Sequence, residues 1–165
     1  MTDAAPRITL LIAATAPRFD AARELMREYA HSLNVDLDFQ HFDAELAALP
    51  GAYAAPTGQL LLARVDGALA GCGALRALPD GNHVNACEMK RLYVRPAFRR
   101  LGLGRVLAQA LLDEARRIGY SAMLLDTLDE MASARSLYAA LGFKEIAPYY
   151  VNPLAGAHYL KAELD

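Results

Sequence analysis

The sequence predicts one α/β domain on a mixed sheet, and three observations carry that reading. Along the chain the apolar residues switch repeatedly between the two-residue period of strands and the 3.6-residue period of helices. The length of 165 residues suits a single compact domain, and no linker or internal repeat divides it, so residues 1–165 are read as one unit. The chain is 55% hydrophobic and 22% charged, enough apolar material for a substantial core, which excludes a disordered tail or a disulfide-stapled miniprotein.

Ile8 to Ile12 reads as an edge strand. The apolar run from Ile8 to Ala16 falls well short of the roughly 20 residues that span a bilayer. The segment before it holds one Arg and one Asp, unlike a secretory leader. The expected location is therefore cytoplasmic, with no membrane partner. Phe19, Ala22, Met26, Tyr29, Ala30 and Leu33 recur at helical spacing behind Pro17 and Asp20. A weaker helix covers about Phe39 to Leu49 and stops at Pro50-Gly51.

Gln59–Val65 and Ala68–Leu75 flank Asp66-Gly67, a strong hairpin signal. The turn Pro79-Asp80-Gly81-Asn82 then leads into a strand at Ala86–Val94. The longest helix runs from Gly102 to Ile118, with Leu103, Leu107, Ala110, Leu111, Ala115 and Ile118 on one face and Gly119 as its stop. A hydrophobic strand at Ser121–Thr127 follows. Next comes a helix from Met131 to Leu141 with Ala134, Leu137, Tyr138 and Leu141 inward, then two strands near Phe143–Ile146 and Ala157–Glu163.

The strand ending at Val94 changes parity. Its apolar positions are first Cys87 and Met89, then Leu92 and Val94. Keeping all four on one face requires one extra residue, a β-bulge, which turns backbone groups out of the ladder and toward a ligand.

Charge is informative once it is divided. The net value is −2, from 17 basic and 19 acidic residues. Residues 89–105 hold Lys90, Arg91, Arg95, Arg99, Arg100 and Arg105 and no acid, which leaves 11 basic and 19 acidic residues elsewhere. This excludes a globally basic nucleic-acid binder and suggests a local site for a compact polyanion. Cys72 and Cys87 are too few for a scaffold or a four-ligand zinc site and read as reduced thiols, the alternative being a disulfide between neighbouring strands. His31, His41, His83 and His158 lack metal-ligand spacing, so no metal is expected, and Ser133 and Ser136 have no triad around them.

The cationic run continues into a strand–turn–helix junction, Arg95-Pro96-Ala97-Phe98-Arg99-Arg100-Leu101-Gly102-Leu103-Gly104-Arg105. Unpaired N–H groups and the dipole at a helix N-terminus attract anions, and glycines let phosphate oxygens reach the backbone. The alternative is glycines that serve packing and arginines on a solvated face. Leu107 stands where a dinucleotide fingerprint has its third glycine, and no Gly-Lys-Ser/Thr of a P-loop is present.

The run Arg99-x-x-Gly102-x-Gly104 resembles the acetyl-CoA pyrophosphate signature of the GNAT superfamily, the Gcn5-related N-acetyltransferases. Glu88-Met89-Lys90-Arg91-Leu92-Tyr93-Val94 and Ala134-x-x-Leu137-Tyr138-x-x-x-Gly142-Phe143 are similar to further blocks of that family. The resemblance implies a mostly antiparallel twisted sheet with a β-bulged central strand, flanked by about four helices. It implies that Arg99, Arg100, Leu101, Gly102, Leu103, Gly104 and Arg105 hold acetyl-CoA, with the backbone of Leu92 and Val94 on the pantetheine arm and thioester carbonyl.

Glu88, 11 residues before Arg99, matches a general-base glutamate of the family's histone acetyltransferases. The plain alternative is an ion pair of Glu88 with Lys90 or Arg91. Tyr138 matches the family's proton donor to the CoA sulfur, and otherwise reads as core. Met131 stands where the family often has Asn, which removes one expected cofactor hydrogen bond.

The function expected is acetyl transfer from acetyl-CoA to a primary amine, by direct attack in a ternary complex. The acceptor expected is a small or amino-acid-like amine, with Tyr29, Phe39, Tyr149 and Asn152 as its contacts and His31, Tyr53 and Tyr150 nearby in the fold. Asp36, Asp38, Asp43 and Glu45 either attract a cationic amine or form a solvated face. The alternatives are a CoA-binding regulatory module without transfer, or an acetyltransferase for protein N-termini or lysines. The sequence leaves a homodimer open.

Overall fold

The structure is a computed structural model that describes residues 4–33, 41–79, 81–128 and 131–164. Seven strands form one sheet: β1 (Ile8–Ile12), β2 (Gln59–Val65), β3 (Ala68–Ala77), β4 (Ala86–Val94), β5 (Ala122–Leu128), β6 (Lys144–Ile146) and β7 (Ala157–Glu163). Their order is β1-β2-β3-β4-β5-β7-β6, with β1 on an edge as expected. Only β4 and β5 run parallel; every other neighbouring pair is antiparallel.

Among the described residues four α-helices cover the sheet: α1 (Ala16–Leu33), α2 (Phe42–Ala47), α3 (Leu103–Ile118) and α4 (Ala132–Ala140). Helix α2 is shorter than the sequence reading of Phe39 to Leu49, and Phe39 lies outside the described residues.

Strand alternation assigns the two faces. On β2, Leu60 and Leu62 pack with α1 and α2, whereas Leu61, Ala63 and Val65 pack with α3. Asp66 (φ 50°) and Gly67 (φ 84°) both adopt the left-handed backbone that a two-residue hairpin turn requires. Helix α3 buries Leu103, Leu107, Ala108, Leu111, Leu112 and Ala115, and ends at Gly119 (φ 106°), whose N–H caps the Ala115 and Arg116 carbonyls.

The bulge expected in β4 is present. Lys90 lies opposite Ala74 but Tyr93 lies opposite Cys72, so β4 holds one more residue than β3 across this stretch. Cys87, Met89, Leu92 and Val94 consequently share the α3 face. Arg91 takes a left-handed backbone (φ 60°) and sends its side chain to α2. There Nε and Nη2 donate to the two Glu45 carboxylate oxygens at 2.9 and 3.1 Å, and the guanidinium lies 5.0 Å from the Phe42 ring centre.

The Arg91 side chain is only 3% exposed. Removing one partner of such a pair leaves a buried charge without its counterion, at a cost of about 3–5 kcal/mol. Glu45→Ala is therefore expected to lower the unfolding free energy by about that amount in urea titration. A loss under about 1 kcal/mol would mean that the pair behaves like an exposed one.

Candidate active site

The parallel ladder between β4 and β5 stops early. Its last register pair is Glu88 with Leu124, and beyond it the two strands diverge. The opening between them is lined by Met89, Lys90 and Leu92 from β4, Asp126 and Thr127 from β5, and Tyr138 from α4. On its β5 side, the stretch of β4 from Met89 to Val94 pairs with no strand among the described residues. Its peptide groups can therefore pair with an extended ligand, as an added strand does.

At the Val94 end the opening leads to a cavity of about 570 Å³, lined by Val94, Arg99, Arg100, Gly102, Gly104 and Arg105 among others. Arg100 and Gly102, both at φ 74°, turn the chain into α3. The N–H groups of Arg100, Leu101 and Gly102 donate to no described residue, and the first turn of α3 leaves further N–H groups unpaired. Helix dipole, bare amides and three arginines together suit a diphosphate.

Arg99 Nε donates to the Val94 carbonyl at 3.3 Å, and the Leu101 side chain is turned to solvent. A Cβ added at Gly104 would stand 3.6 Å from Leu137 Cδ2 and 3.9 Å from Val94 Cγ2, in ordinary contact. Packing therefore does not dictate a glycine there.

At the Glu88 end lies a cavity of about 470 Å³, lined by Arg76, His83, Glu88, Lys90, Tyr149 and Tyr150 among others. Lys90 lines both this cavity and the opening between β4 and β5. Glu88, 2% exposed, pairs with neither Lys90 nor Arg91. Its Oε1 accepts from Arg76 Nε at 3.0 Å and Nη2 at 2.9 Å, while the Tyr149 hydroxyl donates to Oε2 at 2.5 Å. Burial, reinforced by the Glu88 charge, pushes the Tyr149 phenol well above the usual tyrosine range, so it stays a donor. Burial also pulls the Lys90 ammonium below the ordinary lysine range.

Tyr138 is buried against Phe143, with ring centres 5.6 Å apart, and its hydroxyl hydrogen-bonds to no described residue. Burial holds this phenol protonated, its pKa raised far beyond neutrality. Met131, at the head of α4, lines both the opening and the Val94-end cavity, and its sulfur accepts from Thr127 Oγ1 at 3.6 Å.

The expected acceptor contacts do not all gather in one place. Tyr149 is in the Glu88-end cavity. Asn152 reaches the opening instead, where its Nδ2 donates to Asp126 at 3.0 Å beside the Tyr150 hydroxyl on the same carboxylate. Tyr29 lies toward the Val94 end, 6.0 Å from the Tyr93 ring, with its phenol pushed up to about 12 by burial. His31 is exposed on the last turn of α1.

Arg76 and Asp126 went unnoticed in the sequence. Arg76 could have been found: the turn around Asn82 places it opposite Glu88, at equal distance along the chain. Asp126 carries no such signal, because its partners Tyr150 and Asn152 lie beyond α4 and β6, in the loop before β7.

A model of the Acetyltransferase (GNAT) family matches residues 19–143. An uncharacterized N-acetyltransferase of Schizosaccharomyces pombe is 42% identical over 146 residues, which cover 88% of each chain. A GNAT-family acetyltransferase from Staphylococcus aureus superposes with a TM-score of 0.78 at 20% identity, over 96% of this chain and 100% of that one. The Salmonella typhimurium protein yncA, solved with its cofactor acetyl-CoA, gives 0.67 at 24% identity, over 96% and 94%. The sheet, with its one parallel pair splayed open, is thus the fold of these acetyltransferases. By family and by sequence the chain is an N-acetyltransferase of the GNAT family.

Cys72 and Cys87 are buried free thiols, each pushed up to about 12 by burial. The folded protein is expected to give no reaction with a thiol-specific chromogenic reagent at pH 8, and both residues to react in denaturant. The sign of the linkage is also set. Above about 8.5 the unfolded chain releases these protons while the folded chain retains them, so stability falls as pH rises from there toward 12.

Proposed function

We propose that this enzyme moves the acetyl group of acetyl-CoA onto the primary amine of a small acceptor by direct attack, with both molecules bound. One observation carries the reading: three cavities follow one another along β4, the first two sharing Leu92 and Met131, the last two sharing Lys90. The donor's diphosphate belongs at the Val94 end and the acceptor at the Glu88 end. The roughly 20 Å between Glu88 and Val94 on an extended strand leaves room for a pantetheine arm.

Acetyl-CoA supplies an activated thioester, and this chain's residues orient it and manage protons. Arg99, Arg100 and Arg105 neutralise phosphate charge while the amides from Arg100 to Gly104 donate to phosphate oxygens. The backbone of Leu92 and Val94 pairs with the pantetheine, and β4 N–H groups meet the negative charge that grows on the thioester oxygen. An ammonium with a pKa near 10.4 cannot attack, so its proton must leave first.

Glu88 takes that proton, directly or through a water, while Arg76 and Tyr149 fix the orientation of the carboxylate. The new N–C bond forms as the C–S bond breaks, and Tyr138 gives its proton to the departing thiolate. The acylated nitrogen sheds its second proton to solvent, Glu88 returns the first to solvent, and solvent restores the proton of Tyr138, so one proton is released per turnover.

Acetyl-CoA at 100 times its dissociation constant is expected to add about 2.7 kcal/mol of stability, read as a rise in Tm, with no comparable effect of ATP or NAD. Equal stabilisation by ATP would overturn the donor assignment. Gly104→Ala is expected to keep the wild-type Tm while weakening acetyl-CoA binding at least tenfold, because the new methyl meets protein without strain and stands where phosphate approaches. Binding that is unchanged would place the diphosphate elsewhere. Glu88→Gln is expected to slow turnover by roughly 10²-fold, most at the acidic end of a range from about pH 6 to 9, with acetyl-CoA affinity held. Wild-type turnover across that range would remove Glu88 as the base.

A further inference from the structure

The opening between β4 and β5 holds a carboxylate to which the reaction above gives no task. Cys87 and Met89 of β4, and Met123 and Leu125 of β5, pack on the α3 face. Glu88, Lys90 and Asp126 alternate with them and so share the opposite face. The last register pair, Glu88 with Leu124, sets Asp126 two residues further along, roughly 7 Å beyond Glu88. Asp126 is half-buried and anchored through one oxygen. Its Oδ2 accepts from the Tyr150 hydroxyl and from Asn152 Nδ2 at 3.0 Å. Its Oδ1 accepts from no described residue and is reachable from the opening.

The acids that line the opening and the Glu88-end cavity are Asp126, Glu45 and Glu88, and their partners differ. Glu88 and Glu45 each face an arginine, whereas Asp126 forms no ion pair with a described residue. Burial lowers the Lys90 ammonium, and of the two carboxylates that oppose this, Glu88 acts more strongly than Asp126. Neutral hydroxyl and amide donors fix the direction of the Asp126 carboxylate but leave its charge uncancelled. A charge of that kind, set where a substrate must enter, attracts a cation.

We infer that Asp126 receives the ammonium of the acceptor through Oδ1, with the acceptor's body in the Glu88-end cavity and its nitrogen in the opening. This rests on the acetyl-transfer reading and adds to it a binding site for the nitrogen itself. A primary amine arrives charged at neutral pH, and a carboxylate holds an ammonium by charge-assisted hydrogen bonds. Held by Asp126, the nitrogen lies on the face of Glu88, which takes its proton, and beside the β4 amides assigned to the thioester. Tyr150 and Asn152 are positioning residues that act through the Asp126 carboxylate.

The test is CoA-thiol release at saturating acetyl-CoA over a panel of monoamines that includes glycine, phenylethylamine and butylamine. The best amine is then paired with its alcohol, in which a hydroxyl replaces the ammonium, as a competitive inhibitor. Asp126→Asn keeps the shape and removes the charge, and is expected to raise the KM for the amine at least tenfold. The KM for acetyl-CoA and the inhibition constant of the alcohol are expected to stay at their wild-type values. Tyr150→Phe keeps the charge and removes one anchor, so a several-fold rise in the amine KM is expected, again with the alcohol unaffected. Equal losses for amine and alcohol would make Asp126 a wall of the site and overturn the inference. A wild-type amine KM in Asp126→Asn, or in Tyr150→Phe should the first variant not fold, overturns it as well. Either result leaves acetyl transfer standing. No turnover with any of the amines overturns the proposed function and this inference together.

Discussion

The extra residue in β4 is the constraint on which the rest of the site depends. A strand with regular alternation would put either Cys87 and Met89 or Leu92 and Val94 against α3, but not both pairs. With the bulge at Arg91 all four reach the core, and the strand bends away from β5. The conformation is held from outside: a non-glycine residue at φ 60° needs compensation, and Arg91 finds it in Glu45 and the face of Phe42. Helix α2, only six residues long, therefore acts on the active site through a guanidinium as well as burying Phe42 and Leu46 in the core.

Two kinds of chemistry are separated along the same strand. At the Val94 end the chain offers unpaired amides and exposed arginine charge, which suit a strongly anionic group that remains partly in water. At the Glu88 end each carboxylate is matched by an arginine, Glu88 with Arg76 and Glu45 with Arg91, and the Glu88 and Arg91 side chains are deeply buried. Buried pairs of this kind contribute little net stability, yet they hold their members in fixed orientation. Between the two ends stands Tyr138, kept protonated by burial, as the proposed proton transfer to the leaving sulfur requires.

Much of this was legible in the residues. The Asp66-Gly67 hairpin, the bounds of β4, the parity change and the glycine-spaced turn are local signals, set by steric preference and periodicity within a few residues. The general chemistry of the donor end followed, because a helix start with glycines and arginines is itself local. The acceptor end was harder to read. Glu88 stands out in the sequence, but the ion pair that the sequence offers as the alternative to a base, with Lys90 or Arg91 of the same strand, is not the one formed; its partner lies across the sheet at Arg76. Asp126 joins Tyr150 and Asn152 through tertiary folding of a loop, and no sequence spacing encodes that meeting. Helix α2 was drawn too long because apolar spacing does not mark where a helix starts.

The loop residues that border the Glu88-end cavity, Leu78, Pro79, Gly81, Asn82, His83, Tyr149 and Tyr150, line no part of the Val94-end cavity that holds the arginine–glycine turn. Selection can therefore rewrite which molecule is modified by editing two surface excursions, while the grip on the nucleotide is inherited intact. A family assembled in this way can diversify its clientele without rebuilding its engine.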